Sequence, residues 1–419
     1  MQIEGFFKGS AIPLSDKTLV VATSGGPDSM ALLDLLNQLK QKYHFQLLAA
    51  HFDHQLRPTS HCESATLAKY SQDKGIKVVD GIWPQRLHPD SGLEAAARLA
   101  RYQFLDQVME QNGGDYLLTA HHLDDLVENI LLKFIRSGNP SEMNSLKAIG
   151  RMHGKLLLRP LLTVTKTDLL NYDRENKIPF VEDESNQEDD TQRNRLRHHI
   201  IPLLKQENPQ LTQSALRFSK QVDLMTSQVA QSYASLPQPT SFLAVALRLP
   251  QSALAHLSAD QQTGYWQYFI WQNWHRRVND HLTGFELLTY QGYFYLLKQR
   301  PTFTIAPAAI ELGHEFSYGQ RRFILVKQAR TGGHLLGQFV APRAAAFKVG
   351  PLKQGQRLLL KNGHHVKSKK KFAQAGIPNA LRPYCLAIYA DQQVVFVEET
   401  YRNQQAAAGL AEYYLYVEN

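Results

Sequence analysis

Ser24-Gly25-Gly26-Pro27-Asp28-Ser29 stands where the apolar run Thr18 to Thr23 (TLVVAT) gives way to a helical pattern, and the rest of the chain can be read around it. At a strand-to-helix junction the first-turn N–H groups have no internal partner and the helix dipole is positive, so the place is suited to phosphate. Gly25 and Gly26 let the backbone curl close to an anion, Ser24 and Ser29 add hydroxyl donors, and Pro27 fits a first turn that needs no N–H. No Walker loop occurs, because its lysine is missing. Asp28 stands there instead, and an acid beside phosphates requires a metal ion between them. An ordinary glycine-containing turn is the alternative, but two hydroxyls, two glycines and an acid coincide at one strand end.

Outward from this loop the first half alternates strand and helix. The pattern predicts a helix over Asp28 to Lys40, a strand at Phe45 to Phe52, a helix over Glu63 to Lys74 and a strand at Ile76 to Val79. It then predicts helices over Leu93 to Gln111, His122 to Arg136 and Thr167 to Asn176, with strands at Tyr116 to Thr119 and Lys155 to Leu158. That rhythm implies an α/β fold with a doubly wound parallel sheet and a ligand crevice at the carboxyl ends of the strands. Past Pro202 it changes. A polar helix over Leu211 to Leu236 is followed by breakers at Pro237, Pro239, Ser241 and Pro250, then by an aromatic helix over Tyr265 to Trp274. The end of the chain reads as a small α/β module, with strands at Gln356 to Leu360, Leu386 to Tyr389 and Val394 to Val397 and a basic helix over Lys367 to Ala375. At 419 residues the expected division is a catalytic domain over 1–210, a helical linker and middle domain over 211–340, and a basic C-terminal domain over 341–419.

The balance of 43% apolar and 20% charged residues is that of a globular protein. No signal-peptide pattern or membrane-length apolar run is present, and two distant cysteines, Cys62 and Cys385, offer neither a disulfide framework nor a C-x-x-C pair. The expectation is a reducing cytoplasm, no membrane, and no structural zinc or iron–sulfur cluster. The formal charge of +8 points to an anionic partner, and from Ala341 onward eleven basic residues face five acids. Lys367, Lys369, Lys370, Lys371 and Arg382 are the candidates there for nucleic-acid phosphates, unless they form a merely solvated basic face.

Three clusters fall at predicted strand ends or beside them. His51 and Asp53 close the second strand, with His54 in the turn, either as metal ligands or as a polar strand end with satisfied histidines. Glu94, Arg98 and Arg101 share a helix face, where a surface ion pair competes with a phosphate clamp. The strand at Tyr116 runs into His121, His122, Asp124, Asp125 and Glu128. Acids in a first turn suit the dipole, but these exceed what capping needs. An Mg²⁺ between Asp28 and Asp125 answers the charge problem of the acidic loop.

SGGPDS resembles the pyrophosphate loop of the ATP-pyrophosphatase superfamily. HFDHQLRP (51–58), the E-x-x-A-R-x-x-R-Y pattern at Glu94 to Tyr102, AHHLDDLVEN (120–129), RPLL at Arg159 to Leu162, EDESN (182–186) and RNRLRHHIIP (193–202) follow it in order. Together these look like the tRNA(Ile)-lysidine synthetase family, with a departure at SGNPSEMNSL (137–146), where that family tends to be richer in glycine. The resemblance implies a ligase that forms a carbon–nitrogen bond, using ATP and Mg²⁺ to join L-lysine to C2 of the wobble cytidine of tRNA(Ile) with a CAU anticodon. It implies pyrophosphate on Ser24 to Ser29, nucleotide contacts at His51 and Asp53, and Mg²⁺ on Asp28 and Asp125. It further implies Asp124, Glu128 or Asp53 as the carboxylate that activates lysine, and Arg98, Arg101, Asn194 and Arg197 on phosphates and the anticodon loop. The oligomeric state is left open, a homodimer included. A tRNA 2-thiolation enzyme on the same loop is a rival that would need the absent cysteine pair or cluster. A metal-dependent phosphohydrolase built on HHLDD is another, and a non-catalytic RNA-binding module a third.

Overall fold

The computed structural model describes residues 3–55, 61–181, 189, 191–298, 306–353 and 355–418. EDESN and the Arg57-Pro58 end of HFDHQLRP lie outside them. The chain divides into two compact units, 1–228 and 229–419.

The first unit opens with helix α1 (Glu4–Gly9) and then builds strand β1 (Thr18–Thr23), α2 (Pro27–Tyr43), β2 (Gln46–Asp53), α3 (His61–Lys74) and β3 (Lys77–Ile82). It continues through α4 (Leu93–Gln111), β4 (Tyr116–Leu118), α5 (Leu123–Arg136), α6 (Pro140–Met143), β5 (Ile149–Met152), β6 (Lys155–Leu158) and α7 (Lys166–Glu175). Helices α8 (Gln192–Arg195), α9 (Ile201–Glu207) and α10 (Leu211–Ala234) follow, with a π-helical turn at Leu196–Ile200 between the first two.

The sheet order is β3-β2-β1-β4-β6-β5, parallel except for the β5–β6 pair. Alternation along β1 divides the core. Leu19 and Val21 pack with Met30, Leu32 and Leu33 of α2 on one face, while Val20 packs with Leu105, Val108 and Met109 of α4 on the other. The chain winds outward from β1 in both directions, so the loops after β1 and β4 meet at the switch point. The turn that creates β5, His153-Gly154, has both residues at positive φ (43° and 87°), which suits a two-residue hairpin. The sequence pattern predicts no strand at β5, since Gly150 and Arg151 dilute its apolar character. The 137–146 stretch forms the short α6, with Asn139 capping Ser141 N–H at 2.9 Å.

The second unit is richer in strand than the sequence reading. Strands β7 (Thr240–Phe242), β8 (Ala246–Pro250), β9 (Glu286–Tyr290) and β10 (Tyr293–Leu297) form one sheet, beside the aromatic helix α11 (Ala259–Trp274). Then come β11 (Ala308–Ile310), β12 (Glu315–Tyr318), β13 (Arg321–Val326), β14 (His334–Pro342), β15 (Phe347–Pro351), β16 (Arg357–Leu359) and β17 (His365–Lys367). The chain ends with α12 (Ser368–Gln374), β18 (Leu386–Ala390), β19 (Gln393–Val397), β20 (Tyr401–Arg402) and β21 (Leu410–Glu418). These make a five-stranded sheet (β11-β15-β18-β19-β20), a four-stranded sheet (β12-β13-β21-β14) and the β16–β17 hairpin. The expected helix and strands are present, but as parts of larger antiparallel sheets rather than of a small α/β module. The expected boundary at 341 falls inside β14, which pairs along β21. Among the described residues no helix is long and apolar enough to cross a membrane.

Candidate active site

The SGGPDS loop is closed on itself by its two serines. Ser29 Oγ donates to the Gly26 carbonyl at 2.9 Å and accepts from Ser24 N–H at 3.2 Å, while Ser24 Oγ accepts from Gly26 N–H at 3.3 Å. Gly25 has φ +77°, and a Cβ there would meet the backbone of Glu63 at the start of α3, 3.1 Å away. Its carbonyl also accepts from Val181 N–H at 3.0 Å. α2 begins at Pro27 without a side-chain cap, leaving first-turn N–H groups of α2 facing the loop.

Asp28 meets two groups from other elements. Its Oδ1 accepts from Lys166 Nζ at 2.7 Å, and its Oδ2 lies 3.7 Å from His122 Nε2. His122 caps α5, and Asp125 Oδ2 accepts from His122 N–H at 2.9 Å while lying 3.6 Å from the ring Nε2. Asp28 and Asp125 therefore converge on one imidazole, one from each loop at the switch point. Asp125 does the capping work expected of a first-turn acid and still presents its other oxygen to Arg193 at 2.8 Å.

Behind this pair is a layer of ionised partners. Asp124 accepts from Lys166 N–H at 2.8 Å and from Lys205 Nζ at 2.7 Å. Burial opposes its ionisation, but these two donors hold its carboxyl below the usual range. Burial likewise opposes ionisation of Asp125, where His122 and Arg193 prevail and hold it low. Glu128, with only 3% of its side chain exposed, is gripped by Arg193 Nε at 2.7 Å and Arg197 Nε at 2.6 Å. Arg197, expected on tRNA, thus has its guanidinium on Glu128. Asn194 is at the start of α8, where Thr191 Oγ1 accepts its N–H at 3.1 Å.

His51 is 1% exposed, with Nδ1 3.1 Å from the Thr23 carbonyl and Nε2 buried without a partner. Asp53 accepts from Gln55 N–H at 2.8 Å in the turn. On α4, Arg98 lies 4.9 Å over the Tyr102 ring and Arg101 5.7 Å from it, rather than in an ion pair with Glu94. Burial pushes His54 down to about 4, with Arg101 acting in the same direction, and drives His121 well below the ordinary histidine value. Beneath the loop Asp34 accepts from Tyr70, Tyr172 and Gln38. Asp173 beside it is fully buried with both oxygens unpartnered, and burial, then Asp28, raise it to about 7 against Lys166.

In the second unit Lys367 ends β17 and directly precedes α12, which carries Lys369, Lys370 and Lys371. Lys371 also lines an open cleft of about 740 Å³ with Lys361 and Arg402. Arg382 is not a free cation: it stacks 5.2 Å over Phe372 and donates to the Ile377 carbonyl.

Lys166, Lys205 and Arg193 are site residues that the sequence reading does not reach. The T-x-x-D capping box at Thr165–Asp168 marks a helix start that places Lys166 in the first turn of α7, and Arg193 is four residues from Arg197 on one helix face. Nothing in the sequence points to Lys205.

The serine-closed loop on this sheet, faced by acids from the neighbouring strand end, defines a PP-loop nucleotide-binding protein, and the PP-loop domain family model matches residues 2–204. Over its full length the chain is 41% identical to tRNA(Ile)-lysidine synthase of Lactobacillus johnsonii, covering 98% of each chain, and 41% identical to that of Lactobacillus gasseri, covering 99% of each. The chain belongs to the tRNA(Ile)-lysidine synthase family. Among solved structures it is similar to a U34-tRNA thiolase from Methanococcus maripaludis, at 15% identity and a TM-score of 0.44 over 51% of this chain and 74% of that one.

Proposed function

We propose that this chain ligates L-lysine to C2 of the wobble cytidine in tRNA(Ile) bearing a CAU anticodon, in two steps at the switch point of the first unit. The observation that carries the assignment is the full-length identity to lysidine synthases, together with the convergence of Asp28 and Asp125 beside the loop.

In the first step the cytidine C2 oxygen attacks the α-phosphorus of ATP and pyrophosphate leaves onto the Ser24 to Ser29 loop, whose serines and α2 N–H groups are already oriented. For Mg²⁺ we take Asp28 and Asp125, two hard carboxylates that each lie within 3.7 Å of His122 Nε2. Such a pair suits an ion that completes its shell with water and phosphate oxygens. When bound there by Asp28 and Asp125, it would neutralise phosphate charge. Lys166 now covers Asp28 and is free to transfer its donor to the nucleotide.

In the second step the ε-amine of lysine attacks C2, and AMP leaves with the former C2 oxygen. An ordinary lysine amine has a pKa of about 10.4 and must lose a proton first. Asp124 already holds one ammonium, that of Lys205, at 2.7 Å, so we assign it to the substrate amine and its proton. Arg193 and Arg197 lower the proton affinity of an amine nearby, and Glu128 fixes both. The C-terminal lysines supply salt-sensitive backbone contacts to the tRNA.

The test is the intact mass of a CAU-anticodon tRNA(Ile) after incubation with protein, ATP, Mg²⁺ and labelled lysine. A gain of lysine minus water at the wobble cytidine, absent with Asp28→Ala, is expected. ATP left untouched and no gain would withdraw the reaction.

A further inference from the structure

Arg159, the arginine of RPLL, has no part in the chemistry above. It is the first residue past β6, at the carboxyl end of the strand beside β4, and Thr119 N–H of the adjoining loop donates to the Leu158 carbonyl at 3.0 Å. Its side chain points inward: the residue is 9% exposed, one Nη donates to the Lys147 carbonyl at 2.7 Å, and Nε is buried without a partner. The charge that acts on it is that of Arg98, another cation, and among the described residues no carboxylate joins it. The same holds for Arg101. A buried guanidinium is ordinarily paired, so this group of arginines is short of a negative charge.

The missing anion has a location. Leu118 and Leu158 are partners in the β4–β6 ladder, so Arg159 leaves β6 beside the loop that carries His121 to Asp125, and His121 feels both Asp125 and Arg159. An RNA phosphate reaches exposed cations such as Arg98, whereas Arg159 is buried. We propose that Arg159, seconded by Arg101, binds the α-carboxylate of the amino-acid substrate, so that the ligand lies with its carboxylate on the arginines and its ε-amine toward the acids. This rests on the lysine-ligating function proposed above. The guanidinium fork suits a carboxylate, and the arrangement separates lysine from diamines that carry the same amine.

The experiment compares L-lysine with cadaverine, the same chain without the carboxylate, using wild type, Arg159→Gln and Arg159→Lys. Wild type should favour lysine in kcat/KM by about 10- to 100-fold, the worth of a hydrogen-bonded charge. Arg159→Gln should lose most of that preference through a higher KM for lysine, leaving cadaverine and the Kd for tRNA unchanged, and Arg159→Lys should recover part of it. Wild type that uses both amines equally overturns the proposal without any variant. So does an Arg159→Gln protein that keeps its preference while its tRNA affinity and salt dependence fall, since the site would then hold a phosphodiester. Absence of any lysine-dependent product with wild type refutes the ligase reading itself, a result distinct from either.

Discussion

Replacing Asp173 by Asn should change the pH dependence of stability more than stability at any one pH. In the fold this carboxyl has no partner and titrates at about 7, against an ordinary 3.8. Folding therefore takes up a proton between those values, so the native state loses stability as pH rises through the window, and the loss is complete above about pH 7. Each pH unit within it is worth about 1.4 kcal/mol. From pH 5 to pH 8 the wild type should lose about 3 kcal/mol that Asp173→Asn does not, or about 6 to 10 °C in the Tm of a unit of this size. Thermal unfolding of both proteins at pH 5, 6, 7 and 8, followed by calorimetry, reads the difference directly. A Tm difference that stays constant across the series would mean that Asp173 is ionised in the fold, and the reasoning from its isolation would fail.

Gly25→Ala places a Cβ against the Glu63 backbone at positive φ, and should raise the KM for ATP by about tenfold or more in a pyrophosphate-release assay; an unchanged KM would show that the loop does not need that curl. Glu128→Ala leaves Arg193 and Arg197 without their shared acceptor, and should cost about 1–3 kcal/mol in denaturant unfolding together with most of the lysidine formation. Glu128→Gln should restore part of the stability without restoring the activity. Replacing Lys367, Lys369, Lys370 and Lys371 together by Ala should flatten the log–log dependence of tRNA affinity on salt by about 0.7 to 0.9 for each phosphate no longer neutralised, whereas an unaltered slope would make this a solvated face only.

The sheet of the first unit is legible in the sequence because a parallel strand buried on both faces must be an apolar run, and Thr18 to Thr23 and Phe45 to Phe52 are such runs. The approach of Asp28 and Asp125 to the same His122 ring is legible for the same reason, since both follow strand ends. Pairings that depend on side-chain reach are not: Arg197 reaches Glu128 across 69 positions and Lys205 reaches Asp124 across 81. In the second unit, strands such as β11 and β12 are three and four residues long, too short for alternation to stand out. Arg382 reads as a free cation because sequence does not show that Phe372 lies under it.

The π-helical turn at Leu196–Ile200 sets the phase of the cations around the site. Pro202 offers no N–H and its ring crowds the carbonyl four residues earlier, so the chain widens there by one residue instead of breaking. Arg193 and Lys205 are twelve positions apart, and in an unbroken α-helix they would point about 120° from each other. One residue absorbed by the wide turn reduces this to about 20°, so that Arg193 and Lys205 grip Glu128 and Asp124, themselves one turn apart on α5. The turn works as a vernier between two short helices. Replacing Pro202 by Ala, so that the turn closes to ordinary α-helical pitch, would rotate Lys205 about a quarter-turn away from its acid, whereas deleting the one absorbed residue would keep the two cations in phase.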